Sequence, residues 1–122
     1  MEKKRILFID DEQDFLDGVQ ALFTDDDIWE IKTESDSMLA ITRAIQFDPN
    51  IIFCDVSMPG MEGGEVLVLF NENEKLNHIP VVFLTGLIGK DEEKHIKGRP
   101  YLSKPITKGK ILEVAKRYIG DA

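Results

Sequence analysis

This chain is nearly without cysteine. Cys54 is the one thiol among 122 residues, so no internal disulfide can form. No apolar run approaches the roughly 18 residues that a membrane-crossing helix requires. Basic residues are outnumbered, with 15 Lys and Arg against 23 Asp and Glu and a formal charge of −8. That balance argues against nucleic acid or an anionic membrane as a direct partner, since both select a basic face. Met1 to Arg5 lead straight into a short strand-like run, without the apolar core and small-residue cleavage site of a signal peptide. A reducing cytoplasm is therefore the expected location. Repeats, low-complexity stretches and linkers are also missing. A single domain over residues 1–122 is expected, large enough to bury most of its apolar surface without staples.

Strand-like and helix-like segments alternate along the chain, the pattern of an α/β fold with a parallel sheet. Ile6 to Ile9, Ile51 to Cys54 and Val81 to Leu84 are apolar without alternation, as strands covered on both faces are. A further strand is expected over about Ile28 to Thr33, and a fifth over Tyr101 to Ser103. The first helix is placed over about Asp14 to Thr24, with Phe15, Leu16, Val19, Leu22 and Phe23 on one face. Ser35 or Asp36 caps a second helix carrying Leu39, Ile41, Ala44 and Ile45. A third holds Val66, Leu67, Leu69 and Phe70. The last covers about Lys108 to Ile119, with Ile111, Leu112, Ala115 and Ile119 inward. Lys90 to Lys97 are charged and read as briefly helical. Five strands and five helical segments in this order suit a flavodoxin-like, doubly wound, five-stranded parallel sheet of order 2-1-3-4-5, with helices on both faces.

The chemistry-bearing residues stand at strand ends. Asp10 and Asp11 close the first strand, Asp55 the third and Thr85 the fourth; Lys104 and Pro105 follow the fifth. In an open parallel sheet, ligands bind beyond the carboxyl ends of the strands, at the switch point. Three carboxylates, a hydroxyl and an ammonium meeting there suit a divalent cation and a phosphoryl group. Each piece alone has a plainer explanation. Acids favour helix starts, an Asp after a strand is a common turn residue, and Thr85-Gly86 is an ordinary strand exit. The ordered set is what packing does not explain.

That set resembles the receiver domain of two-component response regulators, over nearly the whole chain. The likeness rests on Asp10-Asp11, on Asp55 followed by Met58-Pro59, on Thr85-Gly86, and on Tyr101 with Lys104-Pro105. The resemblance implies Asp55 as phosphoacceptor, with Lys104 and Thr85 completing the catalytic set. It implies Mg²⁺ held by Asp11 directly, Asp10 through water, Asp55, and the backbone carbonyl of Ser57. It implies a switch through Thr85 and Tyr101, and a Lys104–Pro105 bond that is often cis. The implied partner is a histidine kinase or a histidine phosphotransfer protein, in a phosphorelay. The downstream partner is left open, as is the choice between a stand-alone regulator and a segment of a longer protein. A monomer or weak dimer is expected, and a relay module rather than an enzyme.

Two features depart from the family pattern. Thr85 and Lys104 are nineteen positions apart, about one helical turn fewer than usual. Leu87 to Pro100 is also poor in apolar residues and punctuated by Gly89, Gly98 and Pro100, so the fourth helix is expected to be short or irregular. The usual dimer surface is thereby in question. The remaining readings are a pseudo-receiver that binds partners without phosphorylation, and an aspartyl-phosphate phosphohydrolase. The second lacks its customary acid two residues after the nucleophile, where Ser57 stands. A nucleotide or flavin module lacks a glycine-rich loop after the first strand, where Asp11-Glu12-Gln13 stands instead. His78 and His95 read as surface residues, Cys54 and Trp29 as packing, and Asp25-Asp26-Asp27 as a solvated turn.

Overall fold

Three uninterrupted apolar runs become the centre of the sheet. The last four residues of β1 (Lys4–Ile9) are buried, as is every residue of β3 (Ile51–Asp55) and β6 (Val81–Thr85). A computed structural model describes residues 3–58, 61–86, 93–96 and 99–120. The other elements are α1 (Gln13–Leu22), β2 (Trp29–Glu34), a 3-10 turn (Ser37–Leu39), α2 (Ala40–Phe47), the short β4 (Ser57–Met58) and β5 (Met61–Glu62), α3 (Gly63–Glu72), β7 (Glu93–Ile96), β8 (Arg99–Ser103) and α4 (Lys108–Ile119).

Five strands run parallel in the order β2-β1-β3-β6-β8, which is 2-1-3-4-5 counted along the chain. Alternate side chains divide between two faces. Ile6, Phe8, Ile51, Phe53, Val82 and Leu84 pack with Leu16 and Val19 of α1 and Ile111, Val114 and Ala115 of α4. Leu7, Ile9, Ile52, Cys54, Val81 and Phe83 pack with Ala40 and Ala44 of α2 and Val66 and Phe70 of α3. Phe8 and Phe53 are register partners, and their rings stack at 4.9 Å between centroids. The first core locks β1 to β3, and so sets Asp10 beside Asp55.

The segment beyond β6 differs from expectation. Residues 93–96, read as briefly helical, form β7, which pairs antiparallel with β8 and adds a sixth strand at the sheet edge. Residues 87–92 and 97–98, the rest of the expected fourth helix, lie outside the described residues. The stretch offers few apolar residues for the buried face that a packed helix needs. Four α-helices and one 3-10 turn stand among the described residues. Val56 to Gly60, read as loop, contributes β4, which pairs with β5; Pro59 and Gly60 lie outside the described residues. Leu22, read on the apolar face of the first helix, is exposed, as are Leu39, Ile45 and Leu69 of the second and third helical segments, whereas Val114 is an additional core residue. α2 is eight residues long and starts after the 3-10 turn that holds Leu39, and its buried residues are Ala40 and Ala44.

The three-aspartate turn is more than a solvated turn. Asp25 adopts the left-handed conformation at φ 60°. The Asp26 carboxylate accepts bonds from the amides of Ile28 and Trp29, both at 2.8 Å, and pairs with Lys108 at 3.2 Å. Burial pushes its pKa up, but the two amides and Lys108 outweigh burial and hold it below the ordinary carboxylate range. The turn thereby ties the start of β2 to α4. Asp26→Ala is expected to cost about 1–3 kcal/mol at neutral pH, read as a fall in thermal midpoint. Because the folded pKa is depressed, this stabilisation is present above the unfolded value near 3.9 and is lost as pH falls through the folded one. A variant as stable as wild type at pH 7 would remove the role given to Asp26.

Candidate functional site

The carboxyl ends of β1, β3, β6 and β8 open into a shallow cleft. It is lined by Asp11, Glu12, Phe15, Asp55, Val56, Thr85, Gly86, Lys104 and Pro105. Strand register builds it. Asp10 follows β1, and its amide donates to the Glu34 carbonyl at 3.1 Å, continuing the β1–β2 ladder. Asp55 ends β3 opposite Leu84 of β6, and Thr85 ends β6 opposite Ser103 of β8. The Lys104 amide then donates to the Thr85 carbonyl at 3.0 Å. The Lys104–Pro105 peptide is cis, as the resemblance implied.

Carboxylate oxygens of Asp10, Asp11 and Asp55 all lie within 4.8 Å of one another. Asp10 is fully buried, Asp55 nearly so, and Asp11 is exposed at the mouth. Asp10 Oδ1 accepts the Glu12 amide at 2.9 Å, a turn that folds the loop back over the strand end. Asp10 Oδ2 lies 2.6 Å from Lys104 Nζ. The contact is a short ion pair, and among the described residues no well-aligned hydrogen bond reaches that oxygen. Burial pushes the Asp10 pKa up, and the Lys104 ammonium and the Glu12 amide pull it only part of the way back.

Lys104 is the cation of the cleft. Besides Asp10, its Nζ lies 2.8 Å from Glu12 Oε1 and 3.5 Å from Asp55 Oδ2, and 5.0 Å from the centre of the Phe15 ring. Burial works to lower its pKa, but the close contact with Asp10, the bond to Glu12 and the charge of Asp55 raise it above the usual lysine value. The ammonium stays charged at any physiological pH. Cys54, one residue before Asp55, is driven the other way: burial first, then Asp55 and Asp10, push its thiol up and leave it inert.

Asp10, Asp11, Asp55, Thr85 and Lys104 therefore converge, from parts of the chain up to 94 positions apart (104 − 10). Tyr101 lies elsewhere. It is half-buried on the α2–α3 face, with its ring centroid 5.0 Å from that of Phe83. Ser57 stands in β4, two residues past Asp55. A Cβ built at Gly86 would meet nothing within 4 Å, so packing does not dictate that glycine. Two cleft residues escaped the sequence reading. Glu12 passes for a solvated helix start and Phe15 for a core residue of α1. An acid directly after the aspartate pair was the available signal for Glu12, though its partner lies 92 positions away.

Known proteins bear on the fold and the family. Residues 6–116 match the family described as the response regulator receiver domain. The polar-differentiation response regulator DivK of Brucella ovis is 35% identical over 95 residues, covering 75% of this chain and 76% of DivK. Among solved structures, the chemotaxis response regulator CheY4 of Vibrio cholerae superposes with a TM-score of 0.78 at 24% identity, covering 96% of this chain and 99% of that one. The receiver domain of a Pseudomonas aeruginosa sensor histidine kinase, solved with a magnesium ion in its active-site cleft, gives a TM-score of 0.78 at 18% identity, over 98% and 100% of the two chains. The structural likenesses speak for the fold, and the family match and the DivK relatives for descent: this chain belongs to the response regulator receiver domain family of two-component systems.

Proposed function

We propose that the chain accepts a phosphoryl group on Asp55, in the presence of Mg²⁺, from the phosphohistidine of a histidine kinase or histidine phosphotransfer protein. The observation that carries the reading is the placement of Lys104 Nζ 3.5 Å from the Asp55 carboxylate, with Asp10 and Asp11 alongside in an open cleft. The set is hard oxygen donors, one of them buried and without an aligned hydrogen bond, and that fits a magnesium ion. Asp10, Asp11 and Asp55 would hold it, with the Ser57 carbonyl as a further ligand by family likeness. Bound there, the cation offsets carboxylate charge that would otherwise repel the phosphodonor.

The side chains supply the rest. An Asp55 carboxylate oxygen attacks phosphorus, forming a P–O bond. The P–N bond breaks, and its electron pair returns to the imidazole nitrogen. Lys104 meets the phosphoryl oxygens with a compact charge, and the Thr85 hydroxyl donates to another. Phosphoryl transfer is catalysed largely by positioning and electrostatics, which strand ends locked by two cores provide. The phosphoryl group brings about −1.5 to −2 charges. A full switch needs roughly 5.5 kcal/mol of differential interaction, which a few charge-assisted bonds of about 1.5–3 kcal/mol can supply. Thr85 and Tyr101 lie in register-paired strands β6 and β8, a short route from the acceptor to the outer surface. The chain then acts as a relay module rather than as an enzyme turning over an external substrate.

Asp55→Asn is expected to abolish labelling by acetyl phosphate with Mg²⁺, read by intact mass; labelling equal to wild type would remove Asp55 as acceptor. Mg²⁺ at ten times its Kd should stabilise the wild type by about 1.4 kcal/mol, seen as a rise in thermal midpoint. Asp10→Asn should lose most of that rise. A variant that responds as wild type does would exclude Asp10 from the metal site.

A further inference from the structure

Lys104 is surrounded by more carboxylates than its charge balances. The two nearest, Asp10 at 2.6 Å and Glu12 at 2.8 Å, both belong to the turn after β1, while Asp55 is farther at 3.5 Å. Asp10 cannot release the ammonium cheaply, because it is fully buried and an unpaired buried charge is costly. Glu12 differs. Its side chain is 64% exposed and lies outside the triad of Asp10, Asp11 and Asp55. It also makes no capping bond to α1; Leu16 instead bonds the Glu12 backbone carbonyl. The Glu12 carboxylate is thus free to return to water, and its hold on Lys104 serves neither core nor helix.

An ammonium has three N–H donors. A phosphoryl group on Asp55 brings oxygens that need one of them. The donor that can be given up is the one directed at Glu12. We propose that Glu12 is a positioning residue that parks Lys104 at the cleft mouth before phosphorylation, so that accepting a phosphoryl group means exchanging the Glu12 carboxylate for a phosphoryl oxygen on Nζ. Glu12 thereby slows acceptance and makes the receiver less responsive to small anionic donors. The inference rests on the reading of Asp55 as phosphoacceptor.

Phosphorylation rates with limiting acetyl phosphate and saturating Mg²⁺ test this in wild type, Glu12→Gln and Asp14→Asn. Asp14 is an exposed acid in the first turn of α1 and controls for simple repulsion of the donor. Glu12→Gln should accelerate labelling roughly two- to five-fold, the range an ion pair with one exposed partner supplies, and Asp14→Asn should not. In metal-free protein, the Lys104 ammonium nitrogen resonance should shift on Glu12→Gln and stay put on Asp14→Asn. Equal acceleration by both substitutions, no acceleration by Glu12→Gln, or an unmoved Lys104 resonance would each overturn the proposal. A wild type that never labels overturns the acceptor reading and this inference together. A wild type that labels at Asp55, with Glu12→Gln no faster, overturns this inference alone.

Discussion

A carboxylate buried at the end of a sheet stays ionised only if a cation stands beside it. Asp10 is such a carboxylate, fully buried with its pKa raised, and Lys104 is the cation the chain supplies. Much of the architecture serves to bring these two together. The β1–β3 and β3–β6 registers set Asp10 beside Asp55, and the β6–β8 pairing delivers Lys104 past Thr85. One lysine faces three acids within 3.5 Å, so the cleft keeps a negative surplus. That surplus is the physical basis of the proposal that the cleft takes a divalent cation, and through it a phosphoryl group.

The two hydrophobic cores give this electrostatic arrangement its rigidity. Each central strand contributes alternate residues to both, so a slip by one residue would exchange every side chain between the α1–α4 face and the α2–α3 face. Register is therefore strongly specified, and the strand ends with it. The polar residues stand where the apolar runs stop, at the last position of a locked strand or within two residues past it.

Much of this is legible in the sequence. Three apolar runs without alternation identify strands covered on both faces, and with two further strand-like segments and helical patterns between them they imply the parallel order that is found. Asp10, Asp11, Asp55, Thr85 and Lys104 could be read because the topology itself assigns strand ends to one edge. What escaped depends on partners distant in sequence. Nothing local marks Glu12 as the companion of Lys104, or Asp26 as the anchor of Lys108. Leu39 and Ile45 are apolar, yet both are exposed: Leu39 falls in the 3-10 turn before α2, and the buried residues of α2 are Ala40 and Ala44. The β7 strand defeats a propensity argument because its charged residues give neither a helical nor a strand pattern, and pairing with β8 decides their conformation.

The central claim is that the convergence at Asp55 is chemical and not merely structural. Its most direct test is to treat the protein with acetyl phosphate and Mg²⁺, reduce any acyl phosphate with borohydride, and map the resulting homoserine by peptide mass spectrometry. The account predicts homoserine at position 55, dependent on Mg²⁺. Homoserine at another acid, or none under any condition, would contradict it.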